Sequence, residues 1–161
     1  MAIDPQIQIE RALRTAVSKH YRQRDKSGHP YIFHVLRVWT AVRDAGYGHD
    51  FQCAALLHDV VEDTSCTIED VRFLGLDLRV TEAVDALTKY PKESYDEYLD
   101  RCTSNYTACI VKRADNRDNA ARNRFIEDRV EQKRLKAKYE GALVKIDRAL
   151  DSHRTVRSSV L

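Results

Sequence analysis

Apolar residues recur at helical spacing along most of the chain. Asp4-Pro5 predicts a helix start, since aspartate suits the N-cap and proline the first turn. One stripe follows it, at Ile9, Ala12, Leu13, Ala16, Val17 and His20. The next segment, "RQRDKSGHPY", is polar and contains Gly and Pro, which predicts a loop. A second helical stripe then runs from Val35 to Val42 and stops near "GYG".

The most apolar predicted helix lies next. Residues 51–61 are apolar almost all round, so we expect this helix to be central. Thr67 and Asp70 resemble a capping box and predict a short helix. The segments "LRVTEAVDALTKY" and "ESYDEYLDRCT" predict two more helices, and "TACIVKRADNRDNAARN" predicts a buried one with a polar end. A long amphipathic helix follows, with apolar positions Leu135, Tyr139, Ala142, Leu143, Ile146, Ala149 and Leu150.

These patterns predict an all-α fold. No segment alternates with period two for long, and Gly (5) and Pro (3) are scarce. A chain of 161 residues favours one domain, and a domain of about 150 residues buries enough surface to be stable without disulfides. We expect the domain to span residues 1–151 and residues 152–161 to form a frayed tail.

Composition narrows the classes of partner. The net charge of +2, with basic and acidic residues interspersed, gives no reason to expect nucleic acid. No apolar run approaches the length that spans a membrane, and the first ten residues lack an apolar core of signal-peptide length. The four cysteines form no C-x-x-C pair, which argues against a disulfide framework. We therefore expect a cytoplasmic protein without a membrane partner, and the sequence gives no oligomeric state.

The stretch "AALLHDVVEDT", Ala54 to Thr64, carries the first candidate chemistry. Its apolar residues predict burial, yet it contains His58, Asp59, Glu62 and Asp63. An unpaired buried carboxylate is so costly that such groups lose their charge, find a partner or bind a metal. Glu62 and Asp63 each follow their counterparts by four residues, so a helix would stack the two pairs.

Two further residues complete a candidate metal site. His34 flanks the apolar face of its predicted helix, and Asp115 lies one turn after Val111 at the end of the run "ACIV". Two histidines and two aspartates on three core helices could converge on one divalent ion. Mixed imidazole and carboxylate ligands suit Mn, Fe, Zn or Co better than Mg or Ca. The alternative is that the histidines are ordinary core residues and that Asp115 marks a helix end.

Five motifs in order give the chain a family resemblance. "KSGHPYIFHVLRV", "AALLHDVVEDT", "TIEDV", "ALTK" and "VKRADNRDN" together resemble the HD-domain hydrolases of the RelA/SpoT type, particularly the stand-alone small alarmone hydrolases. The similarity runs from about residue 20 to residue 119. It implies an HD-domain helical bundle with a buried metal site. It also implies Mn²⁺ bound by four residues: His34, His58, Asp59 and Asp115.

The resemblance also implies a reaction and further site residues. Family members remove the 3′-pyrophosphate from guanosine tetra- and pentaphosphate (ppGpp and pppGpp), giving GDP or GTP and pyrophosphate, and some remove a phosphate from NADPH. Glu62 and Asp63 match the pair that handles the attacking water. Lys26 and Ser27 match a loop that borders the nucleotide, and Asn119 matches an asparagine near the ribose and base. The chain leaves no room for a synthetase domain beside the hydrolase, so we expect it only to degrade its substrate.

Some positions depart from the family pattern. Asp25 stands where an arginine usually precedes the lysine of "KSG", and Val35 replaces a proline. Asn116-Arg117-Asp118 replaces the usual Arg-Leu-His or Arg-Leu-Tyr, and Arg122 stands where a small polar residue is common. If position 25 faces the base, its negative charge predicts weak binding of guanosine tetraphosphate, and arginine there would strengthen binding.

Two alternative functions stay open at this point. Asp25 and Arg122 favour an HD phosphohydrolase of another nucleotide, such as NADPH or a deoxynucleotide. A non-catalytic nucleotide-binding module is the other alternative, and the loss of a metal ligand or of the Glu62-Asp63 pair would have favoured it. The sequence retains all of these residues, so a metal-dependent enzyme acting on a small nucleotide is the main prediction.

Overall fold

The computed structural model describes residues 3–158, and these residues form a helical protein. Within this range the α-helices are α1 (Pro5–Lys19), α2 (Ile32–Asp44), α3 (His49–Leu57), α4 (Val60–Asp63), α5 (Ile68–Phe73), α6 (Leu78–Leu87), α7 (Tyr95–Ser104), α8 (Tyr106–Arg122) and α9 (Arg129–Ser158), and a 3-10 turn (Asn123–Phe125) follows α8. The described residues contain no strand, only an isolated bridge between Arg24 and Pro30. The all-α prediction is therefore confirmed. Within the same range, no helix is both long enough and apolar enough to cross a bilayer.

Local hydrogen bonds begin two helices as the sequence predicts. The Asp4 carboxylate accepts a hydrogen bond from the Gln6 backbone at 2.7 Å, with proline in the first turn of α1. Thr67 and Asp70 form a reciprocal capping box at the start of α5. Such caps satisfy backbone N–H groups that have no partner within the helix. They fix where these helices begin.

Helix α3 lies at the centre of the molecule. Two apolar clusters make up the core, and α3 contributes Ala54 and Ala55 to one and Cys53, Leu56 and Leu57 to the other. The four cysteines are all free and buried. Because the two clusters meet at α3, the residues that follow Leu57 start from the middle of the fold.

The central helix is not continuous, contrary to the prediction for residues 51–61. Helix α3 ends at Leu57 and α4 begins at Val60, with Asp59 at φ −109° and ψ −2°. The predicted stripe of α1 is also too wide, because Val17 is 49% exposed. Helix α6 ends at Leu87, so the segment "TKY" that follows it is not helical, although the sequence predicted a helix there.

The last helix continues further than predicted. Helix α9 runs to Ser158, so the chain does not fray at residue 152. His153 supplies a physical reason, since its Nε2 donates to the Thr103 carbonyl at 2.8 Å and its ring lies 5.4 Å from that of Tyr106. These contacts attach the end of α9 to α7 and α8. Residues 159–161 of the predicted tail lie outside the described residues.

Candidate functional site

Four ligand-type side chains meet beside the break after α3. One ligand atom each of His34, His58 and Asp115 lies within 4.8 Å of the others, and all three residues are buried. His34 Nε2 is 3.3 Å from His58 Nε2 and 3.2 Å from Asp115 Oδ1. Asp59 joins them, because its Oδ2 is 2.8 Å from His58 Nε2 and 3.7 Å from His34 Nε2. The structure thus brings the four predicted metal ligands together.

The helix break explains how neighbouring residues share one site. In a continuous helix, consecutive side chains point about 100° apart. His58 and Asp59 lie between α3 and α4, where the backbone of Asp59 leaves the helical path. His58 Nδ1 donates to the Ala55 carbonyl at 2.8 Å, which leaves Nε2 to face the cluster. Asp59 Oδ2 accepts a hydrogen bond from the Tyr31 hydroxyl, a partner that the sequence analysis did not identify.

A second carboxylate holds the other side of the His34 ring. His34 Nδ1 donates to Asp118 Oδ2 at 2.7 Å. Arg37 donates two hydrogen bonds to the same carboxylate, from Nε at 2.7 Å and from Nη2 at 2.9 Å. In the sequence, Asp118 was noted only as a departure from the family pattern, and Arg37 was not predicted as a site residue. The available signal was their spacing, because each lies three residues after a predicted ligand, His34 or Asp115.

Asp115 is held by two neighbours on α8. Lys112 Nζ donates to Oδ2 at 2.7 Å, and Asn119 Nδ2 donates to Oδ1 at 2.6 Å. Asn119, predicted to contact the nucleotide, therefore donates a hydrogen bond to a predicted metal ligand. Lys112 was not predicted, although its position one turn before Asp115 was visible in the sequence.

The electrostatics of the cluster suit a cation. Burial by itself lowers the pKa of His34, but hydrogen bonds to Asp115 and Asp118 outweigh this and raise it to about 10. Burial opposes the charged form of Asp115, yet Lys112 and the two histidines hold its pKa well below the usual range. Protons and Lys112 thus balance the buried carboxylates in the protein itself. Two imidazoles and two carboxylates are a donor set that transition metals accept, so the residues fit a divalent ion.

Glu62 and Asp63 lie at the mouth of the same site. Glu62 Oε2 accepts from the Lys89 backbone at 2.9 Å, and Asp63 Oδ2 accepts from Gln23 Nε2 at 3.5 Å. Partial burial raises the pKa of both carboxyl groups, and the charge of Asp59 adds to the effect. The structure therefore places two carboxylates beside the cluster without making them part of it.

The cluster opens into a cavity of about 390 Å³. Lys26 and Ser27 line its border, but Lys26 Nζ pairs with Glu131 Oε1 of α9 at 2.6 Å. The Asp25 carboxylate turns into its own loop, where it accepts from the Ser27 and His29 backbones at 2.9 Å each. Asp25 thus shapes the turn that presents Lys26, and the expectation that it faces the base has no support in these contacts.

Basic residues from several elements line this cavity. They come from the loop before α2, from the segment after α6, and from α8 and α9: Arg24, Lys26, Lys89, Lys112, Arg122, Arg134 and Lys138. The same lining includes carboxylates, among them Asp59, Glu62, Asp63 and Asp115, so the concave site offers cations for a small anionic ligand beside acceptors for a metal ion. Helix α9 was predicted as amphipathic from its apolar positions alone, and Arg134 and Lys138 on its polar side were not predicted as site residues. Their spacing of four residues was the only signal that they share a face.

Comparison with known proteins agrees with this geometry. The family described as "HD domain" matches residues 12–122. A guanosine-3′,5′-bis(diphosphate) 3′-pyrophosphohydrolase of Aquifex aeolicus is 40% identical over 88 residues, which cover 55% of this chain and 12% of that protein. A GTP pyrophosphokinase of Streptomyces coelicolor is 34% identical over 142 residues, covering 83% of this chain and 17% of that protein. This chain therefore spans less than a fifth of either curated relative.

A solved structure matches along nearly the whole length of both chains. Its description reads "A metazoan ortholog of SpoT hydrolyzes ppGpp and plays a role in starvation responses". The TM-score is 0.69 with 27% sequence identity, and the match covers 94% of this chain and 98% of that one.

Proposed function

This chain belongs to the HD-domain family, and we propose that it is a hydrolase of guanosine tetra- and pentaphosphate. In this proposal residues 1–151 form one hydrolase domain that removes the 3′-pyrophosphate, giving GDP or GTP and pyrophosphate. The observation that carries it is the convergence of four ligand-type side chains in a cavity whose lining includes several cations. The Aquifex relative and the SpoT ortholog are named for this reaction, which supports the same substrate.

The proposed metal ligands are His34, His58, Asp59 and Asp115. We propose Mn²⁺ as the ion, because the mixed nitrogen and oxygen donors suit a transition metal better than Mg²⁺ or Ca²⁺. When bound, a divalent ion polarises a phosphoryl oxygen and lowers the pKa of water that it binds. His58 donates a hydrogen bond from Nδ1 to the Ala55 carbonyl, and this leaves its Nε2 available for that ion.

Glu62 and Asp63 are the proposed proton acceptors. The attacking water forms a bond to the phosphorus next to the 3′ oxygen, and the bond between that phosphorus and the 3′ oxygen breaks. Glu62 takes the proton of the water, since the Lys89 backbone N–H fixes its carboxylate at the site. Partial burial raises the pKa of Glu62, which makes its carboxylate a better acceptor near neutral pH. Asp63 helps to orient the water, and the proton that Glu62 took passes to the 3′ oxygen as it leaves.

The nucleotide lies along the basic lining of the cavity. Lys26 and Ser27 border it from the loop before α2. Asn119 uses one N–H for Asp115, so its other N–H and its carbonyl oxygen are the groups left for the ribose or base. In this arrangement Asn119 connects the metal ligand to the substrate.

A second candidate is hydrolysis of another nucleotide, such as NADPH or a deoxynucleotide. Arg122 favours it, because this residue brings a positive charge into the cavity where related hydrolases have a small polar side chain.

A nucleotide panel tests the proposal. Purified protein loaded with Mn²⁺ is incubated with guanosine tetraphosphate, guanosine pentaphosphate, NADPH and a deoxynucleoside triphosphate, and pyrophosphate and phosphate are measured separately. We expect pyrophosphate and GDP from guanosine tetraphosphate, and no turnover by the His58→Ala variant. Release of phosphate from NADPH alone would instead establish the second candidate.

A further inference from the structure

A buried histidine lies behind the candidate site. His20 caps the C-terminal end of α1 and is 2% exposed. Its Nδ1 lies 2.7 Å from Gln23 Oε1, while its Nε2 is buried and has no hydrogen-bond partner among the described residues. Buried polar atoms in native proteins are nearly always paired, so an unpaired ring nitrogen needs an explanation. A leucine would fill similar space without burying such a nitrogen, so packing alone does not explain a histidine at this position.

The contact with Gln23 fixes the direction in which the amide of that residue faces. An amide oxygen only accepts hydrogen bonds, so the contact of 2.7 Å requires a proton on His20 Nδ1. The Gln23 amide nitrogen then faces the other way, where its Nε2 lies 3.5 Å from Asp63 Oδ2. With the amide turned around, its oxygen would face the carboxylate and repel it. The protonated nitrogen of His20 therefore decides whether Asp63 meets a donor or an acceptor.

The loop after α1 holds these groups in place. The Gln23 backbone N–H donates to the His20 carbonyl at 3.0 Å, and the Tyr31 backbone N–H donates to the Gln23 carbonyl at 2.9 Å. The rings of His20 and Tyr31 pack with their centres 5.1 Å apart. Burial raises the pKa of Asp63, and hydrogen bonds from Tyr31 and Gln23 oppose that rise. His20 thus contacts both side chains that donate to the Asp63 carboxylate.

We propose that His20 is a positioning residue, whose ring holds the Gln23 amide so that its N–H faces the carboxylate of Asp63. The inference rests on the proposed function, in which Asp63 orients the attacking water. His20 and Gln23 are not among the described residues that line the cavity, so their effect on the reaction passes through Asp63. A carboxylate held by two donors keeps one orientation, and a water that it binds is then held in one place. Loss of this hold should slow the chemical step without changing the groups that contact the nucleotide.

Replacement of His20 by leucine and by asparagine gives the main test. Leucine removes the donor, whereas the asparagine amide carries an N–H at about the place of Nδ1. We expect His20→Leu to lower kcat for guanosine tetraphosphate about tenfold with little change in KM, because the water loses its fixed orientation. His20→Asn should restore most of the lost kcat. His29→Leu, at an exposed histidine of the same loop, is the control and should change neither value.

A double variant separates positioning from a structural role. Because His20 acts through Gln23, His20→Leu should cause no further fall in kcat in the Gln23→Leu background. A ring that only stabilises the fold would instead lower the melting temperature and leave the kcat of the folded protein unchanged. Additive falls in kcat would refute the proposal. If His20→Leu does not fold, Gln23→Leu must still lower kcat and His20→Asn must still keep it, and any other result refutes the proposal.

Nuclear magnetic resonance tests the geometry without turnover. The full chain is loaded with Zn²⁺ in place of paramagnetic Mn²⁺, since Zn²⁺ accepts the same imidazole and carboxylate ligands. Nitrogen spectra of the imidazole groups, assigned by comparison with His20→Asn, should show a proton on His20 Nδ1. The carboxyl carbon signal of Asp63, assigned with Asp63→Asn, should move in His20→Leu at one fixed pH and return in His20→Asn. A proton on Nε2 alone, or an unmoved Asp63 signal, would overturn the proposal.

The positioning role and the reaction fail in different experiments. If the nucleotide panel shows no turnover but the spectra of His20 and Asp63 behave as expected, the proposed function is wrong and His20 still positions Asp63. If turnover is observed but His20 carries its proton on Nε2 alone, or the two leucine variants act additively, the positioning role is refuted and the proposed function stands.

Discussion

At the scale of single residues, His34 lies between two carboxylates that act on different ring nitrogens. Nε2 faces Asp115 at 3.2 Å, and Nδ1 donates to Asp118 at 2.7 Å. An ion on Nε2 requires that nitrogen to be unprotonated, while the bond to Asp118 keeps the proton on Nδ1. Asp118, itself fixed by Arg37, thereby selects the form of the ring that can bind metal.

We expect Asp118→Asn to weaken Mn²⁺ binding by about 10–100-fold, the usual cost of losing such an outer partner. The amide keeps the size of the side chain but loses the charge that holds the His34 N–H. Electron paramagnetic resonance of free Mn²⁺ measures the affinity directly. Asp147→Asn is a matched control, because it breaks an ion pair outside the cluster, in which Arg113 Nε lies 2.6 Å from Asp147 Oδ1. Equal affinity of Asp118→Asn and wild type would show that Asp118 does not position His34.

Glu62→Gln tests the proposed proton acceptor. Glutamine keeps a similar shape but cannot take a proton, so we expect kcat to fall by roughly 10²-fold or more with the metal still bound. Elemental analysis checks the metal content, and steady-state kinetics give kcat. Glu69→Gln, at an exposed glutamate of α5 paired with Arg72, should change neither value. Turnover at the wild-type rate with full metal content would remove Glu62 from the mechanism.

The same residue predicts a pH dependence. Glu62 can accept a proton only as a carboxylate, and burial raises its pKa. Activity should therefore be complete at a pH above this raised pKa and should decrease as the pH falls through it. A plot of log(kcat/KM) against pH should show an acid limb above the pH range of an ordinary glutamate. In Asp63→Asn, which removes a nearby negative charge, the limb should move to lower pH, and an unmoved limb would contradict the assignment.

Residue type and burial made the convergence of the four proposed metal ligands predictable from sequence. His58 and Asp115 are polar residues in apolar surroundings, and burial of such side chains is costly unless they have a partner. Their outer partners were not predictable in the same way. Asp118 meets His34 across two helices, and neither helix carries a pattern that fixes this pairing. The sequence therefore indicates which residues form a site more readily than it indicates what holds them in place.

At the scale of elements, the break between α3 and α4 is what the sequence could not show. The break at His58 and Asp59 uses neither glycine nor proline, so the apolar run reads as continuous through it. The starts of the capped helices were easier to predict, because Asp4 and Thr67 bond to groups no more than three residues away in the sequence. Functional sites are the places where local sequence rules are expected to fail, and this break lies at the proposed metal centre.

The loop before α2 gives a prediction for substrate binding. The Asp25 carboxylate holds the turn around Gly28, whose φ is +81°, through two backbone N–H groups. We expect Asp25→Ala to raise KM for guanosine tetraphosphate several-fold with little change in kcat, because the loop that carries Lys26 loses its shape. Asp25→Asn keeps an acceptor oxygen and is the control. Asp25→Arg should also raise KM, and a lower KM for this variant would return position 25 to the base.

At the scale of the whole molecule, the candidate centre connects elements that the core only packs together. His34 comes from α2, the His58-Asp59 pair from the end of α3, and Asp115 from α8. Helix α3 also joins the two apolar clusters. An ion bound there would link three helices at the point where both halves of the core meet, so metal binding and global stability should be coupled.

This coupling predicts how far Mn²⁺ stabilises the fold. A ligand that binds only the folded state at 100 times its Kd adds about 2.7 kcal/mol to the free energy of unfolding. For a chain of this size, that corresponds to a rise of roughly 5–10 °C in the melting temperature. Differential scanning calorimetry with and without Mn²⁺ measures the rise, and a chelator should reverse it. His58→Ala should abolish it, whereas His29→Ala, at an exposed histidine of the loop, should keep it. An equal rise in both variants would mean that Mn²⁺ binds elsewhere. The four residues beside the break would then be a buried network of protonated histidines paired with carboxylates.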